Sequence, residues 1–296
     1  MIRSTVETAL EYDVLAPTHF LFHIEAAERP GQQILSERLA VSSGVSVHGY
    51  RDDASGNRFI RFDAPVGPLM INYQAEVLLE PPPAIYEDLP EVPVGQLPND
   101  VMHYLMPTRY CESDVMMRAA TQLFGDHKPG LSRVRAISDW IHESITYEPG
   151  STDSTTTTQE VFVQRAGVCR DFAHLGITLC RALNIPARLA VGYVWFNEPP
   201  QDFHAIFEAF VGGRWVLFDP TGMAPPERLV RIGTGRDAKD VAFSTIFGPV
   251  QMTRKEVKVD ERVTGGEALA APAAPAAAAD PELRTQVRAE LTSEDA

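Results

Sequence analysis

The chain has 296 residues, 44% of them hydrophobic, enough apolar material for one large core or two modest ones, and two domains are expected. Its formal charge of −14 argues against binding nucleic acid through the phosphates, which needs a basic footprint. No uncharged apolar stretch of 18 residues occurs, and the opening MIRSTVETALEYDV lacks the basic start and apolar run of a secretory signal, so a soluble, cytoplasmic protein without membrane partners is expected.

Residues 1–85 alternate apolar and polar positions in short runs such as FLFHIEA, RFIRFDAP and LMINYQAEVLLE, broken by the turn signals RPGQ and DASGN. This pattern predicts an antiparallel β domain. The proline-rich passage that follows suits neither helix nor central strand, and residues 86–112 read as a linker laid over the surface. From Ser113 the period becomes helical: SDVMMRAATQLFG and LSRVRAISDWIHESI space their apolar residues by three and four, with Ser113 and Ser132 as candidate caps. In STDSTTTTQEVFVQRAG, Thr157 and Glu160 fit a capping box and Gly167 suits a helix end, so a short helix leads straight to Cys169.

A second helix is expected to begin at Cys169. PARLAVGYVWF, HAIFEAFV and RWVLFD then read as strands, the last two joined by Gly212-Gly213. The core is therefore expected to occupy 113–263, with FGPVQMTRKEVKVDERV supplying one more strand. Residues 264–296, Ala/Pro-rich and then charged, have too little bulky apolar surface to offset chain entropy and read as a disordered tail.

The three cysteines, Cys111, Cys169 and Cys180, cannot all pair and form no CxxC spacing, so reduced thiols are expected. Cys169 stands out because the first turn of a helix offers unpaired N–H groups and the positive end of the dipole, both of which favour a thiolate. Cys180 lies about three turns further on, ~16 Å away, among apolar neighbours, and reads as a packing residue. His174, five positions along the same helix, points elsewhere. If Gly212-Gly213 form a two-residue turn, Val211 faces Arg214 and His204 falls opposite Thr221. Asp219 then shares the face of His204 at a diagonal separation of ~7 Å, which imidazole and carboxylate can bridge. Glu208 shares the face too, but four strand residues put it ~13 Å away. The direction of Asp202 is unspecified.

A thiol at a helix start, a histidine on a strand and an aspartate on the paired strand form a set suited to nucleophilic acyl transfer. The backbone N–H of Cys169 would serve the oxyanion, and Tyr147, Gln164 and Trp195 are candidates for a second donor. GTGRDA at 233–238 nominally fits GxGxxA, yet the following sequence cannot build a βαβαβ half around it, and it reads as a turn. Asp171 fits a helix-dipole role, Arg170 and Arg236 surface pairing, and Trp195 and Phe196 the core.

The segments YEPGSTDSTTTTQEVFVQRAGVCRDFAHL, RALNIPARLAVGYV, FHAIFEAFVGGRWVLFDPTG and IGTGRDAKDVAFSTIFG resemble the transglutaminase-like superfamily, specifically its bacterial cysteine-protease-like branch. The β-rich N-terminal region also resembles the domain that accompanies this core. The resemblance implies an α+β fold in which a catalytic helix packs on an antiparallel sheet, with Cys169 as nucleophile, His204 as base and Asp219 as acid. One departure is Ile206, where the family often has tryptophan. The expected activity is cysteine-dependent hydrolysis of peptide, amide or isopeptide bonds in a protein or peptide substrate, with no cofactor and no metal. Amine transfer by the same three residues, or a non-catalytic interaction module on the same fold, are the alternatives.

Overall fold

The computed structural model describes residues 1–42, 44–80 and 88–263. The tail expected over 264–296 and parts of the 1–85 and 86–112 segments lie outside the described residues. In chain order the elements are β1 (Ile2–Val14), β2 (Thr18–Phe22), β3 (Gln32–Val41), β4 (His48–Arg51), β5 (Arg58–Ala64), β6 (Gly67–Leu79), α1 (Met117–Phe124), α2 (Leu131–Ser144) and β7 (Thr146–Tyr147). Then follow α3 (Thr158–Gln164), β8 (Ala166–Gly167), α4 (Cys169–Ala182), β9 (Ala187–Tyr193), β10 (His204–Val211), β11 (Arg214–Phe218), β12 (Val230–Gly235), β13 (Ser244–Phe247) and β14 (Val250–Val263). The fold is α+β. Among the described residues no helix is long and apolar enough to cross a membrane.

The N-terminal half is built from period-two sequence. In β1 every second residue from Ile2 to Val14 is buried, as alternation across a pleat requires. Two antiparallel sheets, ordered β14-β1-β6-β3 and β13-β2-β5-β4, share one core that includes Leu10, Phe20, Phe62 and Tyr73. The chain returns at its far end to complete both sheets: β14 pairs with β1 along its length, Ile2 opposite Val263 and Val14 opposite Val250, and β13 pairs with β2. Residues 244–263, grouped with the core on sequence, thus hydrogen-bond to N-terminal strands. Tyr193 of β9 and Ile232 of β12 enter the same apolar cluster, and Tyr193 donates to Ile24 O at 2.6 Å.

The second half packs α4 against a sheet ordered β11-β10-β9-β12. Every residue from Asp171 to Ala182 is buried, because α1, α2 and α3 cover the side of α4 that the sheet does not. Gly176 permits the close approach: a Cβ there would lie 2.5 Å from Cε1 of Phe207 on β10.

The passage after the first domain is more than a surface strap. Leu97 and Val101 are buried against Phe210, and Cys111 is fully buried beneath α4 with its sulfur 3.7 Å from His174 O. The same passage caps α2, where Ser132 was the expected cap. Leu131 N–H donates to Leu89 O at 2.8 Å and Ser132 N–H to Asp88 Oδ1 at 3.0 Å. Ser113 does not cap α1 either; it is buried, and the helix begins after Met116 with no side-chain cap. Orphan N–H groups need an acceptor from anywhere in the fold, and residues distant in sequence meet that need as well as neighbours do.

Candidate active site

Two left-handed glycines, Gly212 at φ 58° and Gly213 at φ 76°, make the tight turn between β10 and β11. The register runs from Val211 opposite Arg214 to Phe207 opposite Phe218; continued three residues, it brings His204 level with Thr221. Asp219 reaches across the diagonal, its Oδ2 2.8 Å from His204 Nε2, and each side chain is only 2% exposed. The other carboxylate oxygen accepts from Thr221 N–H at 3.0 Å and from the Thr221 hydroxyl at 2.6 Å, so the acid is held on both sides. Asp202 takes no part, being paired with Lys255, and Glu208 turns to Arg188 and Arg231.

Cys169 is the first residue of α4, and the chain reaches it by a short detour. Arg165, at φ 59°, ends α3, and Ala166-Gly167 then pair in parallel with Thr146-Tyr147. Gly167, expected to end the helix, therefore sits in a strand. A side chain there would meet Cβ of Asp171 at 2.8 Å. Asp171 accepts from Val168 N–H at 2.9 Å and from the Thr152 hydroxyl at 2.5 Å, which anchors both the start of α4 and the loop beside it. The capping-box reading of α3 holds, since Glu160 accepts from Thr157 N–H at 2.7 Å.

The partly buried sulfur of Cys169 lies 3.9 Å from the carbonyl of Phe203, the residue before His204. Asp219 occupies Nε2 of His204, which leaves Nδ1 as the other ring nitrogen to serve the thiol. Burial alone would strip the proton from His204. The Asp219 carboxylate opposes it with charge and a hydrogen bond, Cys169 adds to the effect, and the imidazole is pushed up to about 10. An imidazolium thus sits between a carboxylate and a sulfur.

Tyr147 completes this surround. Its β7 position opposite Gly167 is fixed by pairing, and its ring packs 5.9 Å from that of Phe172. Burial, then the charge of Cys169, push the Tyr147 hydroxyl up, so it holds its proton more firmly than in water. The other two candidate donors are engaged elsewhere. Gln164 donates to Ala166 O at 2.8 Å, and Trp195 packs on the N-terminal core. Parallel pairing just ahead of the helix is what brings Tyr147 alongside the start of α4, and two-residue strands leave no periodicity to detect.

The remaining thiols and motifs are structural. Cys111 and Cys180 are fully buried, which pushes both thiols up, Cys111 to about 11. His174 is buried, pushed down to about 3, and accepts from Ala238 N–H at 3.0 Å. Gly233 and Gly235 lie in β12; a Cβ at Gly233 would be 2.4 Å from the His23 ring, so that glycine serves packing. Arg170 pairs with Asp171, Arg236 with Asp240, and Phe196 is buried with its ring 5.7 Å from His204. Among the described residues no three His, Cys, Asp or Glu side chains converge as metal ligands.

Comparison with known proteins places the fold. Residues 118–220 match the family model of the transglutaminase-like superfamily, and residues 2–100 match that of the bacterial transglutaminase N-terminal domain. The crystal structure of a "Putative Cysteine Protease" from Cytophaga hutchinsonii superposes with a TM-score of 0.84 at 39% identity, covering 90% of this chain and 92% of that one. "Uncharacterized protein ML0607" of Mycobacterium leprae is 31% identical over 47% of this chain, a match that spans about half (52%) of that relative. "Uncharacterized protein Mb2599c" of Mycobacterium bovis is 26% identical over 71% of this chain and 75% of its own length. With both family models matched in succession and a 39%-identical relative covered almost end to end, the chain belongs to the transglutaminase-like superfamily and carries the N-terminal domain of its bacterial members.

Proposed function

We propose that this protein is a cysteine-dependent hydrolase of amide bonds in peptides or proteins. Family membership supports a cysteine enzyme, and the observation that carries the finer reading is the buried His204–Asp219 pair at 2.8 Å, with the sulfur of Cys169 3.9 Å from the carbonyl of the residue before that histidine. In the first step the Cys169 sulfur forms a bond to the substrate carbonyl carbon. The C–N bond then breaks as the His204 imidazolium gives its proton to the leaving amine. Water, deprotonated by the now neutral His204, bonds to the acyl carbon as the C–S bond breaks, which releases the acid and restores the thiolate beside the imidazolium. Asp219 keeps the ring in the tautomer that serves sulfur and stabilises its charged form. All three thiols are free, in keeping with a reducing compartment such as the cytoplasm.

The Cys169 backbone N–H and the Tyr147 hydroxyl are the donors we assign to the oxyanion. Tyr147→Phe keeps the ring and its packing but removes the O–H, so kcat is expected to fall by about 10²–10³-fold with KM little changed. Steady-state kinetics of the two proteins side by side check this, and an unchanged kcat would remove Tyr147 from the chemistry.

The test of the function itself is digestion of a peptide library by wild type and Cys169→Ala, with and without a primary amine. Cleavage lost in the variant is the expected result. Amine incorporation that depends on Cys169 would instead make the protein a transferase. Absence of turnover, with Cys169 alkylated by iodoacetamide no faster than a free thiol, would make it a non-catalytic interaction module.

A further inference from the structure

His204 is the first residue of β10, and the sheet holds its backbone on one side. It pairs with Gly192 of β9, but the ladder with β11 stops at Phe207, short of the histidine. Asp219 orients the ring. The backbone beneath it, with the Phe203 carbonyl 3.9 Å from the sulfur of Cys169, depends on residues 194–203, which join β9 to β10.

That connection is fastened to the N-terminal domain by three successive residues. β14 is the edge strand of its sheet, with β1 beside it. On its other edge the side chain of Gln201 takes the place of a neighbouring strand: Oε1 accepts from Val259 N–H at 2.6 Å, and Nε2 donates to Val259 O at 3.3 Å. The same Nε2 lies 3.4 Å from Phe196 O, so the amide also ties the two ends of the connection together. Val259 is a firm anchor, buried in the N-terminal core and paired with Val6 of β1. Asp202 pairs with Lys255 of β14 through one oxygen and accepts from Phe203 N–H at 2.8 Å with the other. Phe203 stacks on Phe243 with ring centroids 4.9 Å apart and packs 5.4 Å from Tyr193, against that same core.

Covering an edge strand calls for a partner anywhere along its length. Here the cover falls on the residues immediately before the catalytic histidine, and it engages both the donor and the acceptor of one β14 residue. Resting on the reading of Cys169 and His204 as nucleophile and base, we propose that Gln201 is a positioning residue of the reaction: docked on β14, it sets the backbone that presents His204 to sulfur. The N-terminal domain then contributes to turnover without touching substrate. A misplacement of about 1 Å costs on the order of 10²-fold in rate, so one side-chain rung can govern kcat while contributing little to stability.

Gln201→Met keeps the length of the side chain and removes its donor and its acceptor. In the full-length protein, kcat on a peptide that wild type cleaves is expected to fall by about 10–10²-fold, with KM changed by less than about threefold. Tm is expected to drop by no more than about 5 °C. Iodoacetamide labelling of Cys169 at pH 6–7 is expected to slow by at least about fivefold, because the imidazolium no longer sits squarely beside the sulfur. Mere loosening would act the other way, exposing the sulfur and speeding the label. Gln201→Asn, which keeps the amide but draws it back by one methylene, is expected to show the same pattern. Lys258→Gln, exposed on the same strand, is expected to match wild type. Labelling of both Gln201 variants as fast as wild type or faster, or kcat within about threefold of it, overturns the role. If wild type cleaves no peptide but labelling still slows in the variants, the hydrolase reading fails and the positioning of His204 stands. If wild type cleaves and the variants match it, the reverse holds.

Discussion

Asp219→Asn is expected to lower kcat/KM by about 10³–10⁴-fold while leaving the fold in place. Asparagine has nearly the same shape as aspartate, but its amide can donate where the carboxylate only accepts. Presented to Nε2 of His204 at 2.8 Å, an N–H donor makes that nitrogen the acceptor and moves the ring proton to Nδ1. The neutral ring then faces sulfur with a proton already on it and cannot take another. Loss of the negative charge also removes the main influence raising His204, so burial draws the imidazole down from about 10 to below its ordinary value. The sign in stability follows. A raised histidine contributes stability that is complete below about pH 6.5 and is lost as pH climbs toward about 10, and Asp219→Asn should lack that decline. Kinetics, iodoacetamide labelling of Cys169 at pH 6–7 and urea titrations from pH 6 to 10 check the three consequences. A kcat/KM within threefold of wild type would sink the assigned role of Asp219.

The placement of His204 and Asp219 was legible because a two-residue glycine turn sets the parity of both strands from local sequence alone. Cys169 at a helix start was equally legible, with the capping box of Thr157 and Glu160 marking the approach. What could not be read was whatever depends on residues meeting from far apart. The alternation of β14 predicts a strand, but only packing reveals that its partner is β1, some 250 positions earlier. Leu89 and Asp88 cap α2 from a proline-rich passage whose composition suggests only a strap. Cys111 looked like a linker residue because its apolar surroundings come from α4. Tyr147 stands level with Gln164 and Trp195 as a donor on sequence, and only the parallel pairing of Tyr147 with Gly167 brings its strand alongside the start of α4. Glu208, set aside on sequence as too far from His204, proves to organise the basic cluster on that face.

Glu208 should also dominate the acid stability of the core. Burial favours its neutral form, yet the guanidiniums of Arg231 and Arg188 overcome that and hold the carboxyl down at about 2. A depressed carboxylate contributes stability that is complete above its ordinary value of 4.5 and is lost as pH falls toward about 2. Shifted by somewhat over two pH units, it should contribute a loss of about 3 kcal/mol across that window. Glu208→Ala removes the carboxylate and leaves two largely buried guanidiniums facing each other, so the variant is expected to be less stable by about 3–5 kcal/mol at pH 7. It should then lose less as pH falls from 4.5 to 2, because no proton uptake at this position remains. Urea unfolding of both proteins at pH 7 and at intervals down to pH 3 measures the two effects separately. If the curves run parallel at every pH, Glu208 is not the group whose protonation undermines the core in acid.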